Sequence, residues 1–512
     1  MLVRLPALME AVYRSSDSSD ISFIAQGLAT GHGPMLLPTQ TSIAVVWFDE
    51  LLHWVPLSIR MGVEYWIGPV LSVIAAVVLV RAARIAAGRR AALCVGCALA
   101  VLPPVVLWTL LSPDNHITTY VGAALLCWHL VRDLAARPRG VRSVLVGCAI
   151  GVFVVSDPQI IVFGLIPWAI ATVSLRRCMT RLQLLSALRT ALTAVAAVGF
   201  ALAIMRIQGI GIVNIVPPGG TSEMGASVVM TARTAVWMLT GGWYGDVVTA
   251  VSAAFSVLVV GALAGLVVFG REQRRPAGEG GSGRAALQAY VTFWSAAAVC
   301  LVAAFIVLGY GAIGSSLNGH YLVGCYFALA ALLAAVPTLR LTPAHLSRRA
   351  AAAAATALVV FAAYAANDAA RTASLDAAQY TAQMQSLPDG DPLPVLLAHH
   401  LQRGYAGYWV TYDVDWRARG QLSIWPVLAG DGVCRGPAGS LCPYRFAPQG
   451  EYVPARSATF LITPMGAGCG ASQPSAAVFG TPTAVYQAGP YTISVYDYDV
   501  ASRFAVTKGM FC

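Results

Sequence analysis

Apolar runs dominate the chain between residues 66 and 366, and short polar segments separate them. A helix needs roughly 17–25 mainly apolar residues to cross the hydrocarbon core of a bilayer. The segment 226–241 is either a further span or a re-entrant piece. The pattern predicts an α-helical, polytopic membrane protein with about 10–11 spans. The candidate spans are 66–83, 90–110, 116–134, 141–155, 158–174, 186–206, 246–270, 287–309, 317–337 and 348–366.

Arginine collects in alternate connections between these runs. The basic connections are 81–90, 132–142, 175–189, 271–284 and 339–349, whereas 111–116, 155–159, 207–245 and 310–318 are poor in arginine. Because positively charged loops stay in the cytoplasm, the alternation predicts an orientation for every span. It favours two spans around Pro158, and it predicts that residues 1–65 and the chain after residue 367 lie outside the cell.

The outside position of residues 1–65 has a consequence for the start of the chain. Leu2–Val12 is too short to be a signal peptide or a spanning helix. We therefore expect that translation starts upstream and that Leu2–Val12 is the outer end of a first helix. The alternative is a short N-terminus that crosses the membrane without help.

Composition agrees with a membrane protein, since only 11% of the 512 residues are charged and 57% are hydrophobic. A soluble globular protein carries about 25% charged residues. The formal net charge of +10 comes from arginine, because Lys508 is the sole lysine. Membrane topology accounts for that charge, so no nucleic-acid partner is predicted.

The chain after Asn367 changes character. An amphipathic helical pattern is followed by short runs rich in Val, Ile, Tyr and Thr, divided by Gly and Pro, which is typical of β-strands. We predict three regions: residues 1–65 as a first outer loop with an interfacial helix, 66–367 as the membrane core, and 368–512 as an extracytoplasmic mixed α/β domain.

Four cysteines follow the last span: Cys434, Cys442, Cys469 and Cys512. Disulfides persist in oxidising compartments outside the cytoplasm. Pairing of Cys434 with Cys442 and of Cys469 with Cys512 is the simplest of the possible connectivities. His399-His400 has no cysteine or histidine at ligand spacing, so no metal site is predicted there.

Few acids lie on the predicted outer side near the membrane. Asp49 and Glu50 belong to an amphipathic pattern, "IAVVWFDELLHWVPLSIR", and we expect them to face water from an interfacial helix. Asp157 lies in "VVSDPQIIVFG", where an ionisable group at membrane depth is a functional candidate. Helix capping beside Pro158 is an equal alternative for Asp157. Asp114, with His116 close by, is a second candidate cap.

Four stretches resemble the GT-C superfamily of glycosyltransferases that use polyprenyl-phosphate sugars, which includes protein mannosyltransferases and aminoarabinose transferases. "YRSSDSSDISFIAQGLATGHGPML" resembles the first outer loop of that family, and "SDPQIIVFGLIPWAI" resembles a Ser-Asp-Pro stretch of bacterial members. "NGHYLVGCYFALAALL" is similar to an Arg-Tyr-Leu span start, with His320 in place of the arginine. "LQRGYAGYWVTYDVDW" resembles part of the tail domain.

The resemblance implies direct displacement of a lipid phosphate from the sugar by an acceptor hydroxyl, with an aspartate as general base. Asp17 matches the base best, and Asp20 either supports it or takes its role. Arg14, Arg233 and His320 would hold the donor phosphate. The supporting residues would be Asp114, His116, Asp157 and Tyr321.

The same resemblance implies a multi-pass protein of the plasma membrane whose acceptor is a glycan, a lipid or a protein of the cell envelope. Some members of the superfamily use a divalent metal, and two aspartates are not enough to predict one. Two other functions stay open: a lipid or solute transporter, and a non-catalytic scaffold for cell-envelope assembly. Transporters commonly carry internal repeats, and the two halves of this chain show none.

Overall fold

A computed structural model describes most of the chain. The described residues are 21–34, 36–37, 42–100, 102–112, 116–212, 219–240, 248, 281–312, 316–338, 390–429, 434–455, 457, 459–464 and 474–507. Arg14, Asp17, Asp20 and Asp114 lie outside these residues, as do the predicted spans 246–270 and 348–366.

In its described part, the first outer loop (so named from the predicted orientation) contains three short helices: α1 (Ile21–Ala29), α2 (Ile43–Leu51) and α3 (Leu57–Glu64). Between α1 and α2, strand β1 (Leu36–Leu37) pairs in parallel with β2 (Gly211–Ile212). Helix α2 exposes Phe48, and Trp54 follows it with 75% of its side chain exposed, as expected for an interfacial helix.

Ten further helices among the described residues belong to the apolar bundle. They are α4 (Ile67–Ala87), α5 (Arg89–Ala100), α6 (Pro104–Leu111), α7 (Ile117–Ala135), α8 (Gly140–Ser156), α9 (Ile166–Leu175), α10 (Arg181–Ile207), α11 (Thr221–Thr240), α12 (Gly281–Val307) and α13 (Val323–Leu332). A π-helical turn, Ile161–Leu165, leads into α9. Short 3₁₀ segments lie at Arg176–Cys178, Tyr310–Ala312, Ser316–Leu322 and Leu333–Thr338.

Within the described residues, five helical stretches are long and apolar enough to cross a membrane, or six if the bent pair α5–α6 counts as one span. They are Leu57–Ala87, Ile161–Cys178, Arg181–Ile207, Gly283–Val307 and Asn318–Ala335. Helix α8 is apolar but only 17 residues long. The protein is therefore mostly helical and suited to a membrane, and the predicted total of 10–11 spans is not established by these helices.

The chain breaks sharply at Asp157, which has extended backbone angles. Helix α8 ends at Ser156, so α8 and α9 are separate helices. Helix α8 packs closely on α10, because Gly147 and Gly151 leave no room for a Cβ atom against Thr193 and Ala194. Small residues four apart permit such close approach of membrane helices.

The tail is a mixed domain around a six-stranded sheet of order β6-β4-β3-β7-β9-β8. Its central strand β3 runs parallel to β4 and β7, and the other pairs in the sheet are antiparallel. The helices are α14 (Leu393–Ala398), α15 (Tyr408–Arg417) and α16 (Ala476–Phe479), with 3₁₀ turns at Gln449–Tyr452 and Val500–Arg503. The strands are β3 (Arg403–Ala406), β4 (Ser423–Ala429), β5 (Cys434–Arg435), β6 (Leu441–Pro443), β7 (Thr459–Thr463), β8 (Ala484–Ala488), β9 (Tyr491–Tyr496) and β10 (Val506–Thr507).

One predicted disulfide is present. Cys434 and Cys442 are bonded, with their Cα atoms 5.6 Å apart, and they join the ends of the connection from β5 to β6. Cys469 and Cys512 both lie outside the described residues, so their pairing stays a prediction.

The first outer loop and the tail domain pack against each other. Phe23 of α1 stacks on Tyr412 at 5.5 Å between ring centroids and meets Trp425 edge-on at 6.3 Å. Gly27 lies so close to Pro448 that a Cβ atom would clash with the proline ring. The two ends of the chain therefore share one apolar core, to which α1 contributes its buried face.

Truncation of Phe23 should loosen this contact. The ring is 6% exposed, and Phe-to-Ala changes in well-packed cores cost about 3–5 kcal/mol. For Phe23→Ala we expect faster hydrogen exchange in both α1 and α15, measured by mass spectrometry on the full-length protein. Phe48→Ala removes a ring that is 49% exposed and should leave both helices protected. Equal exchange in both variants would mean that the Phe23 contact does not hold the tail.

Candidate functional site

Asp157 is buried where α7, α8 and the segment before α13 meet. Its Oδ2 accepts a hydrogen bond from Thr119 Oγ1 at 2.5 Å and lies 2.8 Å from His116 Nδ1. Its Oδ1 accepts from the backbone N–H of Gln159 at 3.0 Å. The two interpretations of Asp157 are therefore compatible, because one oxygen caps the turn after Pro158 and the other holds side chains of α7.

His116 is held in an uncommon backbone conformation. It precedes α7 with φ of +62°, in the left-handed region that side chains other than glycine seldom adopt. Such strain persists only where surrounding contacts enforce it, and it clusters at functional sites. Since a carboxylate can only accept, the 2.8 Å contact assigns a proton to Nδ1 of His116. The other ring nitrogen, Nε2, is buried without a hydrogen-bond partner among the described residues.

Aromatic side chains from a distant part of the chain form the facing wall. The ring of His320 stacks on His116 with 5.6 Å between centroids, and Tyr321 lies 5.0 Å from His116. Tyr310 continues the wall at 4.7 Å from Tyr321. Burial, and then the negative charge of Asp157, raise the pKa of Tyr310, so this hydroxyl stays protonated. Gln159 ties the wall to the turn, because its Nε2 donates to the carbonyl of Tyr321 at 2.7 Å.

The first outer loop borders this cluster. The backbone N–H of Ala44 in α2 donates to Ser156 Oγ at 3.2 Å, next to Asp157. Trp47 donates to Gln208 Oε1 at 3.0 Å, and Gln208 in turn donates to the carboxylate of Glu50. Helix α2 therefore lies across the ends of α8 and α10.

The expectation that Asp49 faces water is wrong. Asp49 is buried and bonds Arg60 Nη1 at 2.6 Å, while Arg60 Nη2 donates to Gln26 at 2.5 Å. Ser22 donates to the buried carboxyl of Glu64. These bonds tie α1, α2 and α3 together, because a buried charge needs a partner inside the protein. The amphipathic pattern ends at Arg60 but could not reveal the pairing of Arg60 with Asp49. The two residues are eleven positions apart and lie on different helices.

The structure brings together four of the residues singled out from sequence: His116, Asp157, His320 and Tyr321. Arg233 lies on an exposed face of α11. Arg14, Asp17, Asp20 and Asp114 lie outside the described residues. Sequence reasoning missed Thr119, Gln159 and Tyr310, although Thr119 lies one helical turn from His116 and Gln159 belongs to the same Ser-Asp-Pro stretch as Asp157.

The cluster combines a carboxylate, two histidines and an aromatic wall, and it lies at the N-terminus of α7. The N-terminal end of a helix favours negative charge, and Asp157 already occupies part of that field. Within the described residues, no group of three or more histidine, cysteine, aspartate or glutamate side chains could hold a metal ion. The carboxylate and the two imidazoles can transfer protons and form hydrogen bonds to an anionic group.

No family model matches this chain, and no curated protein matches it either.

Asp157→Asn should disturb His116 more than any other residue. If the amide NH₂ faces His116 and Thr119, donors meet donors. If the amide oxygen faces them, the Gln159 N–H is left unpaired. An unpaired buried polar group costs about 1–3 kcal/mol. We expect a lower thermal midpoint and a changed Nδ1 signal in the ¹⁵N spectrum of labelled histidine, because a neutral acceptor or a donor replaces the carboxylate opposite it. Asp133→Asn, at the far end of α7, should leave the His116 signal unchanged. A wild-type His116 signal in Asp157→Asn would contradict the hydrogen-bond assignment.

Proposed function

We propose that this protein is a membrane glycosyltransferase that moves a sugar from a polyprenyl-phosphate donor to a cell-envelope acceptor outside the plasma membrane. The observation that carries the proposal is the meeting of His116, Asp157, His320 and Tyr321 beside the first outer loop. These residues come from three separate parts of the chain, and buried ionisable groups among apolar helices mark functional sites by default.

The proposed reaction is one displacement at the anomeric carbon. The acceptor oxygen forms a bond to that carbon while the bond from carbon to the phosphate oxygen breaks. The bonding electron pair leaves with the phosphate, and the acceptor proton passes to an aspartate. Asp17 is the favoured base and Asp20 the alternative, with the second aspartate in support. Because the leaving group is a phosphate, it needs positive charge and hydrogen-bond donors rather than a general acid.

The covalent position of these aspartates supports the assignment. Asp20 directly precedes Ile21, where α1 begins, and α1 is held by Ser22, Gln26 and Phe23 through the bonds described above. A base must be placed within hydrogen-bond reach of the acceptor proton. Residues that directly precede a braced helix are suited to that requirement.

The histidine pair would meet the phosphate. With Nδ1 fixed by Asp157, a second proton on Nε2 of His116 would make that nitrogen a donor to a phosphate oxygen. His320 stacks against it and would share the role that the family resemblance gives to arginine. Arg14 and Arg233 are the guanidinium groups proposed to complete the phosphate site.

The tail domain is proposed to bound the acceptor side. It packs on α1 through Tyr412 and Trp425, so an acceptor that enters beside the first loop would pass between loop and tail. A transporter remains the second candidate for a helical protein with a polar cluster. Transport sites are built where helices are broken near the bilayer midplane, and the helix ends at Asp157 and His116 are compatible with that second function.

Removal of the base should abolish transfer. We expect Asp17→Asn to lower the rate of sugar transfer by about 10²–10⁴-fold, the usual contribution of a general base. Asp20→Asn should have the smaller effect if it supports Asp17. The measurement is transfer of radiolabelled sugar from polyprenyl-phosphate donors to cell-envelope fractions. Full activity in both variants would exclude this base, and no activity of the wild type with any donor would favour the scaffold function.

His116 should matter for the donor, and α7 offers a matched control. His129 is also a buried histidine of α7 near an aspartate, with Nε2 3.0 Å from Thr190 Oγ1 and 3.6 Å from Asp133 Oδ2. For His116→Gln we expect at least about tenfold lower transfer, since a lost hydrogen bond to a charged group costs about 1.5–3 kcal/mol. His129→Gln, at equal thermal stability, should retain transfer. Equal losses in both variants would show that helix integrity, and not phosphate contact, sets the rate.

A further inference from the structure

At the end of α7 away from the candidate site, a surface pocket is lined almost entirely by arginine. Its lining residues are Arg132, Ala136, Arg137, Pro138, Arg139 and Arg142. They belong to the last turn of α7, the short connection to α8 and the first turn of α8. The proposed transfer reaction uses none of these residues.

Asp133 fixes one side of the pocket. Its carboxylate accepts hydrogen bonds from Arg142 and from Ser186 of α10, and His129 lies 3.6 Å away. The Arg142 guanidinium also lies over the ring of Trp128, at 5.7 Å from its centroid. Arg142 is therefore held in one orientation, and the only acid between residues 132 and 142 is already engaged.

The other arginines keep their charge available. Arg132, Arg137 and Arg139 are exposed, and none forms an ion pair with an acid in the described part of the chain. Arg189 of α10 lies against Gly140 and adds a further positive charge nearby. Guanidinium groups bind phosphate through pairs of parallel hydrogen bonds. The pocket therefore suits a phosphate better than an uncharged polar ligand.

The surface beside the pocket is apolar. Val141 and Leu145 lie four residues apart on α8 and are 74% and 65% exposed. Residues four apart share a helix face, and Val141 directly precedes Arg142 of the pocket. The pocket therefore borders an apolar face that acyl chains would cover, and a free phosphate ion would leave this face bare.

We propose that this pocket binds the phosphate headgroup of an anionic phospholipid, whose acyl chains lie along Val141 and Leu145. Arg142 forms the fixed wall, and Arg132, Arg137 and Arg139 neutralise the headgroup. The site is separate from the proposed transfer site and does not depend on transfer activity. Positively charged loops at the cytoplasmic surface meet a leaflet that carries anionic lipid.

The test compares two double variants of the full-length protein. Arg137→Gln/Arg139→Gln removes two charges from the pocket, and Arg176→Gln/Arg177→Gln removes two exposed charges from the connection between α9 and α10. Each protein is reconstituted in phosphatidylcholine, with and without about 20 mol % phosphatidylglycerol, an anionic fraction sufficient to attract basic segments. The readouts are the thermal midpoint and the phosphatidylglycerol retained in native mass spectra.

We expect phosphatidylglycerol to raise the thermal midpoint of the wild type and of the Arg176/Arg177 variant. The affinity of phosphatidylglycerol for the Arg137/Arg139 variant should fall by about tenfold or more, since each of the two arginines near an anionic surface contributes somewhat less than a tenfold gain in affinity. All proteins should melt alike in pure phosphatidylcholine, which shows that the variants are folded.

Three results would overturn the proposal. Unchanged lipid retention in the Arg137/Arg139 variant would show that the pocket binds no lipid. Equal losses in both double variants would show diffuse surface charge instead of a site. If inorganic phosphate in phosphatidylcholine raises the midpoint as much as phosphatidylglycerol does, the ligand is a free anion.

Discussion

The site depends on how a carboxylate is accommodated among apolar helices. Asp157 is buried, and water cannot solvate it, so the protein must supply its hydrogen-bond donors. Thr119 and His116 do so from the start of α7, and the Gln159 backbone does so from the turn after α8. This requirement fixes where α7 begins, where α8 ends and how the turn at Pro158 is closed. The aromatic wall from residues 310–321 then packs on a surface that is already defined.

Periodicity and composition predict the helices well but not the partners of charged side chains. The apolar runs within the described residues form helices, because membrane-length apolar segments have few other ways to satisfy their backbone groups. The same pattern singles out Asp157 as a candidate residue, since an acid at membrane depth is costly. Asp49 was misjudged, because the arginine that makes its burial tolerable belongs to a different helix. A hydropathy pattern contains no information about such tertiary pairs.

The geometry of His116 shows the same limit more sharply. Nothing in "SPDNHITTY" announces a left-handed residue before α7, because histidine adopts that conformation more often than most residues but still uncommonly. Its orientation follows from contacts with residues about 40 and 200 positions away. Helix α7 thus carries a histidine–aspartate pair near each end, His116 with Asp157 and His129 with Asp133. The left-handed backbone of His116, the aromatic wall and the position beside the first loop distinguish the candidate site from the pair of His129 and Asp133.

The contact between Phe23 and the tail has a consequence for biosynthesis. A ribosome makes α1 long before α15, so the ring of Phe23 waits for its partners until the helices between them have been produced. During that interval α1 has no apolar surface of the tail to cover its face. Completion of the contact at Phe23 therefore requires that the tail domain has folded. A chain cut short before Tyr412 would leave its own beginning unfinished.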